Sequence, residues 1–420
     1  MVLERPELFE GRELAGFALL CLMLATFSIV LEYRSYRELT RFDDAVVEAT
    51  VLNQYVKSKG NRRYSVLKLR TEAGAHFYTT ASAHLRNLVG YRLQLQIRTG
   101  KVGFAEYLTG FFASGQILRV DPHRLLRMTL SEKIATSHAF KEEGALFAAL
   151  LTASPLEREL RRKLATLGVS HLLAISGFHL GVLSFLLYGI LRSPYTLVQS
   201  QWFPWRSRRR DLFAVVTVLL FAYLHLLGYV PSLTRAFAMT FIGYLLYDRG
   251  IRIVSMQTLA VAVALLGAFW PRLYLSLGFW LSVLGVYFIL LFVWYAPRWH
   301  RVPLFIALHT WVYLMMLPTA LWLFGDFSLW HPLSILWSML FILFYPVVLL
   351  SHLAATGNLL DGSLEWLLAL GEGGSIVSVP GWAVLIQLGA ALAAAVRPLF
   401  LWIAFGGAFA VFVGAVYQVA

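Results

Sequence analysis

The sequence predicts a polytopic α-helical membrane protein that carries a small β domain near its N-terminus. Hydrophobic residues make up 59% of the 420 residues and charged ones only 14%, against about 25% in an average soluble domain. The second half is a succession of long runs free of Asp, Glu, Lys and Arg. Between about residues 45 and 120 the apolar period changes to two, the period of a strand. A single cysteine, Cys21, excludes a disulfide scaffold, and the composition excludes disordered and collagen-like chains.

The first element, residues 1–32, reads as a transmembrane anchor. Its apolar run 14–31 approaches the roughly 20 residues needed to cross about 30 Å of hydrocarbon. Arg5 and Arg12 are interspersed with Glu4, Glu7, Glu10 and Glu13. A positive n-region and a small-residue cleavage site are both missing, so the anchor is expected to be uncleaved.

The second element, residues 45–120, alternates cleanly. Tyr91–Arg98 is apolar and polar by turns, and 46–56, 66–70, 75–80 and 115–120 are also strand-like. Gly60-Asn61, Ala73-Gly74 and Gly90 are turn signals. Five short strands in this space suit an OB-like β-barrel. The first hairpin tip carries Lys57, Lys59, Arg62 and Arg63, which can track a phosphate backbone. Tyr55, Tyr64, Phe77 and Tyr78 can stack on bases. The plainer reading is a solvated tip over aromatics in a barrel core.

The third element, residues 121–168, reads as amphipathic outer helices. Asp121-Pro122 resembles an N-cap with proline at N1, and Ser154-Pro155-Leu156-Glu157 a capping box. The helix after it is charged and is expected to end at Gly168, a natural C′ position.

The fourth element, residues 169–420, supplies the remaining crossings. Charge-free runs at 164–191, 212–234, 253–271, 273–297, 302–325, 327–360, 373–396 and 398–420, with 231–247 interrupted by Arg235, bring the expected count to about ten. All lysines precede residue 164. Arg192 and Arg206–Arg210, then Arg249 and Arg252, then Arg298 and Arg301 mark alternate loops as cytoplasmic. By parity, the β domain and the outer helices are expected on the extracytoplasmic side.

Within the first run of the fourth element, residues 171–181 read His-Leu-Leu-Ala-Ile-Ser-Gly-Phe-His-Leu-Gly. Polar groups at such depth are costly unless paired or facing water. Eight residues separate His171 from His179, which places both near one face of a continuous helix. Gly177 and Gly181 form a GxxxG pair suited to close helix approach.

This segment resembles the signature of the ComEC family of competence proteins at His171, Leu172, Ala174, Ile175, Ser176, Gly177, His179 and Gly181. Pro231-Ser232-Leu233-Thr234-Arg235-Ala236-Phe237-Ala238-Met239 resembles a second family segment. Leu277-Gly278-Phe279-Trp280-Leu281-Ser282 resembles a third, with Trp280 where glutamine is usual and Gly278 as a further packing position. The resemblance implies transport of single-stranded DNA across the inner membrane during natural transformation. His171, Ser176, His179, Ser232, Thr234 and Arg235 are then the expected DNA path. The implied partners are single-stranded DNA, a periplasmic DNA receptor, a cytoplasmic DNA-translocating ATPase or single-strand-binding proteins, the bilayer, and a further copy of the chain.

Many family members continue into a metallo-β-lactamase-like domain. The sequence stops at Ala420 without its histidine cluster, so the expectation is a short form with no cofactor, metal or catalytic residue. No phosphate-binding loop is present to supply energy. Two other classes fit less well. An ion-coupled small-solute transporter usually has acidic residues within its spans. A membrane enzyme on a lipid-linked substrate would use Ser176 with a histidine base, yet no acidic residue lies nearby in sequence to orient one.

Overall fold

The computed structural model describes residues 12–60, 62–173, 175–249, 254–296 and 299–419. Of the residues named from the sequence, Glu4, Arg5, Glu7, Glu10, Asn61, Ala174, Arg252, Arg298 and Ala420 lie outside the described residues. The chain divides into two units, residues 1–133 with 260–280, and residues 134–259 with 281–420.

The first unit opens with the apolar helix Arg12–Leu39. Six strands follow: β1 (Asp44–Lys59), β2 (Arg62–Thr71), β3 (His76–Ser82), β4 (Tyr91–Arg98), β5 (Phe111–Phe112) and β6 (Gly115–Arg124). The alternation seen in sequence sets the pleat. Leu93, Leu95 and Ile97 of β4 and Leu67 and Leu69 of β2 are fully buried, and the residues between them are more open. The sheet order is β5-β3-β2-β1-β4-β6, antiparallel except for β3 with β5.

The OB-like closed barrel is not confirmed. No ladder joins the edge strands β5 and β6. They are linked along the chain by Ala113 and Ser114, whose backbones bond to Tyr78 and Arg98 respectively (2.9 Å each).

The N-cap expected at Asp121-Pro122 is also overturned. Both residues lie inside β6, which continues until Arg124 opposes Tyr91. A proline survives there because β6 is an edge strand with register shifts, where a missing N–H costs no ladder bond.

β1 and β2 outgrow the sheet. β4 covers β1 only over Asp44–Thr50, and β3 covers β2 only over Tyr64–Arg70. Only the tip, where Ser58 pairs with Arg63 and Lys59 with Arg62, is a two-stranded ribbon. Elsewhere in this unit, Arg272 donates to Glu32 (2.6 Å) and lies 4.8 Å from the Tyr107 ring centroid. That contact brings the turn Pro271–Leu275 to the β domain and the anchor helix.

The second unit holds most of the apolar helices. Six described helices of the whole chain are long and apolar enough to cross a membrane: Arg12–Leu39, Gly177–Trp202, Leu277–Tyr295, Arg301–Phe324, His331–Leu353 and Leu399–Val419. The expected figure of about ten is therefore not supported. Every expected run does contain a helix, but Met256–Phe269 and Gly381–Ala394 have 14 residues each, about 21 Å of rise against the roughly 30 Å of hydrocarbon. Helix Arg208–Leu226 opens on Arg208, Arg209, Arg210 and Asp211, and helix Pro231–Asp248 contains Arg235.

The outer helices are less exposed than their charge suggests. In Lys141–Thr152, nine residues are buried, with Phe147 and Leu150 fully so. They pack with Leu160, Leu164 and Leu167 against Phe341, Tyr345 and Val348. The capping box at Ser154 does not form. Its hydroxyl bonds to Thr152 (2.8 Å), and the helix Arg158–Thr166 starts after Glu157 without a side-chain cap.

The end of that helix is as expected. Gly168 has φ +70°, its N–H bonds to Ala165, and the Val169 N–H bonds to Leu164, which is a Schellman motif. A Cβ at 168 would also meet the His331 ring at 2.8 Å. Gly168→Ala should therefore cost about 1–3 kcal/mol for the left-handed backbone alone, with the ring clash added. A lower melting temperature of the purified protein in detergent is the expected outcome.

Candidate functional site

The charge-free run 164–191 is not one helix. A short helix Ser170–Leu173 stops, and a new one, Gly177–Trp202, begins inside the signature. The expectation that His171 and His179 share a helix face is overturned by this break. Its physical cause is Ser176. The residue has extended backbone (φ −118°, ψ 177°), and its Oγ accepts from the Phe178 N–H at 3.3 Å. The ring of His179 reaches back, and its Nδ1 accepts from the Ser176 N–H at 3.0 Å. This is a capping box with histidine in the place usually taken by Glu or Gln.

Three parts of the signature thus have separate surroundings. His171 is exposed. Its Nδ1 donates to the Gly168 carbonyl (2.9 Å), and its Nε2 lies 3.1 Å from the Ser338 hydroxyl. Ser176 is half-buried, and its Oγ is also 3.0 Å from His179 Nδ1. His179 is 1% exposed and is enclosed edge-on by Tyr345 (4.7 Å between centroids) and Phe341 (5.1 Å). Its Nε2 has no hydrogen-bond partner among the described residues. A Ser–His pair does exist, but it is a weak nucleophile–base pair. The Nδ1 lone pair is already engaged by a backbone amide, and no carboxylate orients the far nitrogen.

The second motif segment meets the first. Helix Pro231–Asp248 starts with proline at N1, and Thr234 returns its hydroxyl to the Val230 carbonyl (3.1 Å). A Cβ on Gly177 would lie 3.5 Å from that of Ala236, so the two helices approach closely there. Ile175, Leu180, Leu233 and Ala236 share one core. Arg235, between Thr234 and Ala236, is 8% exposed, and Ser232 is half-buried. The expected packing roles of Gly181 and Gly278 are not realised. Among the described residues a Cβ on Gly181 would meet nothing within 4 Å, and one on Gly278 would meet only Ser276 of its own turn at 3.8 Å.

Elsewhere the basic residues divide. Lys57, Lys59, Arg62 and Arg63 are exposed on the ribbon, with Lys57 5.7 Å from the Tyr55 ring centroid. Phe77 cannot stack on a base, because it is fully buried against Phe111 in the β core. On the other side of the signature helix, Arg206 holds Asp211 through two bonds (2.7 and 2.8 Å), and Tyr195 donates to the same carboxylate. Arg209 lies over Tyr247, and Arg210 pairs with Asp248 (3.1 Å).

A scan of family models matches residues 152–419 to "Competence protein". The chain belongs to the competence protein family. Searches of curated proteins and of solved structures returned no match. The matched span covers the signature, the Pro231 segment and the third stretch around Gly278, and it ends close to the last described residue. The competence family places the protein in a membrane and gives it a role in DNA uptake.

Sequence reasoning missed a polar chain of His138, His352 and Asp361, with His138 and Asp361 buried and His352 half-buried. No local spacing announces it, since His138 lies more than 200 residues from both partners.

The capping role of His179 has a direct test. His179→Gln keeps an acceptor at N3, whereas His179→Ala loses it along with the packed ring. The alanine variant should melt lower and accumulate less than the glutamine variant, by about 1 kcal/mol or more. Equal melting of the two variants would remove the capping role.

Proposed function

We propose that this competence protein carries single-stranded DNA across the cytoplasmic membrane during natural transformation, with the β domain on the outer side. The observation that carries the reading is the meeting of two family-type segments at Gly177 and Ala236, within the span matched by the family model. Those segments bring Ser176, Ser232, Thr234 and Arg235 to the ends of two helices that both begin there. His171 lies on the short helix just before. A helix start presents the positive end of the helix dipole, which suits a phosphate. His179 serves this path indirectly, by holding Ser176.

Three contacts support the topology, and one departs from it: His138, in the segment expected outside, meets His352 at the opposite end of the span His331–Leu353 from residues 326–328, which puts the bend 137–140 at membrane depth. Arg272, in a loop expected outside, bonds Glu32 and covers Tyr107 of the β domain. Asp326 and Ser328, in another such loop, meet Arg162 and Thr166 of the outer helices. On the expected cytoplasmic side, Arg210 and Asp248 join the far ends of two neighbouring helices. In this reading the shorter and more polar helices cross within the protein's own packing. The exposed arginines after Trp202 face the cytoplasm, where a motor or single-strand-binding proteins receive the cargo. A periplasmic receptor delivers DNA to the ribbon of β1 and β2.

In an Arg235→Ala strain that accumulates the protein normally, fluorescent duplex DNA should collect outside the inner membrane and fail to enter the cytoplasm. Normal entry would refute the path. Replacing Lys57, Lys59, Arg62 and Arg63 with alanine should flatten the salt dependence of DNA binding by the purified chain. The slope should change by about 0.7 for each phosphate that is no longer neutralised. An unchanged slope would leave the ribbon without a DNA role.

A further inference from the structure

Apart from the signature, one polar chain, buried at His138 and Asp361 and half-buried at His352, joins three distant parts of the sequence. His138 sits in the bend 137–140, with its side chain fully buried. Its Nδ1 lies 2.7 Å from Asp361 Oδ1, at the first turn of helix Asp361–Leu370. Its Nε2 lies 3.1 Å from Nε2 of His352, near the end of helix Ser334–Leu353. His352 Nδ1 in turn lies 2.7 Å from the Val348 carbonyl. Phe147 stacks on His138 at 4.4 Å, and a Cβ on Gly357 would meet His352 Nε2 at 2.9 Å, so both rings are held in place.

These contacts fix a proton count. A carbonyl oxygen only accepts, so His352 Nδ1 carries a proton. The contact between the two Nε2 atoms needs one proton, because two bare lone pairs repel. The contact between His138 and Asp361 needs one more. The count is the same whether that last proton is drawn on nitrogen or on oxygen. The three side chains therefore hold three protons, one more than a carboxylate with two neutral imidazoles.

We propose that Asp361, His138 and His352 form a one-proton latch that fastens the 137–140 bend to the end of helix Ser334–Leu353. A fourth proton sets two N–H groups against each other and opens it. Loss of the third proton sets two lone pairs against each other and also opens it. The latch closes only between these limits. Asp361 is the counter-charge, and the other carboxylates around it are Glu365 on its own helix and Glu142 and Glu143 on helix Lys141–Thr152. Burial, then Asp361, Glu365 and Glu142, pushes the Glu143 carboxyl up. Glu142 is drawn to Lys163 (3.2 Å), which also binds Glu372 (2.9 Å).

Amide hydrogen exchange of the full chain in lipid nanodiscs tests the latch, followed by mass spectrometry of peptides covering 134–152 and 346–370. After correction for intrinsic exchange, wild-type protection should fall about tenfold between pH 7 and pH 5, as expected for loss of a charged hydrogen bond. His352→Gln offers a non-titrating acceptor to His138 and should show no such fall. Asp361→Asn removes the counter-charge and should be unprotected already at pH 7. His138→Gln takes the place of His352→Gln if the latter fails to accumulate. Equal wild-type protection at both pH values, or a glutamine variant that keeps the full acid fall, would overturn the latch.

Discussion

A helix that begins among apolar side chains has to pair its first amides without help from water. At Gly177 this requirement is met by the chain itself. Ser176 caps forward to Phe178, and His179 caps back to Ser176. Because the cap is complete, the chain can break there and still pack. The break frees His171 to turn toward Ser338 and lets Ile175 enter a core with Leu233 and Ala236. The Pro231 helix follows the same logic by another route, since proline at N1 removes a donor that would otherwise lack a partner.

The later helices use small residues and backbone acceptors instead. Ala390 and Ala391 pack beside Ala404 and Ala408, all at most 8% exposed. Tyr287 and Tyr295 donate to the carbonyls of Ala391 and Ala394 (2.7 Å each), and Gln387 donates to Met315 (3.2 Å). Alanine allows the close approach, and each polar tip then finds a carbonyl that helix geometry leaves with a spare lone pair. Polar residues in an apolar helix thus serve as ties between helices.

The parts legible in sequence were those set by local period and by turn chemistry. The strands of the β domain show in their alternation, and the Gly168 stop shows because only glycine takes φ +70° without strain. The caps at Asp121 and Ser154 failed for different reasons. At Asp121 long-range pairing won, since β6 found a partner in β4; at Ser154 another local bond won, since its hydroxyl turned to Thr152 two residues back. The signature was legible as a motif but not as a shape, since a run without charges looks the same whether it is one helix or two. The chain from His138 through His352 to Asp361 was invisible, because the fold alone brings together groups so far apart in sequence.

The ribbon of β1 and β2 has a mechanical consequence. β1 runs 16 residues, about 50 Å at 3.3 Å per residue, and its bracing changes sides along the way. β4 flanks it over Asp44–Thr50, and β2, backed by β3, carries it on as far as Lys57. Only the pairs Ser58 with Arg63 and Lys59 with Arg62 lie beyond a third strand. The basic groups at the tip therefore sit at the end of a braced arm, and a polymer meets them as a charge pattern of nearly fixed spacing.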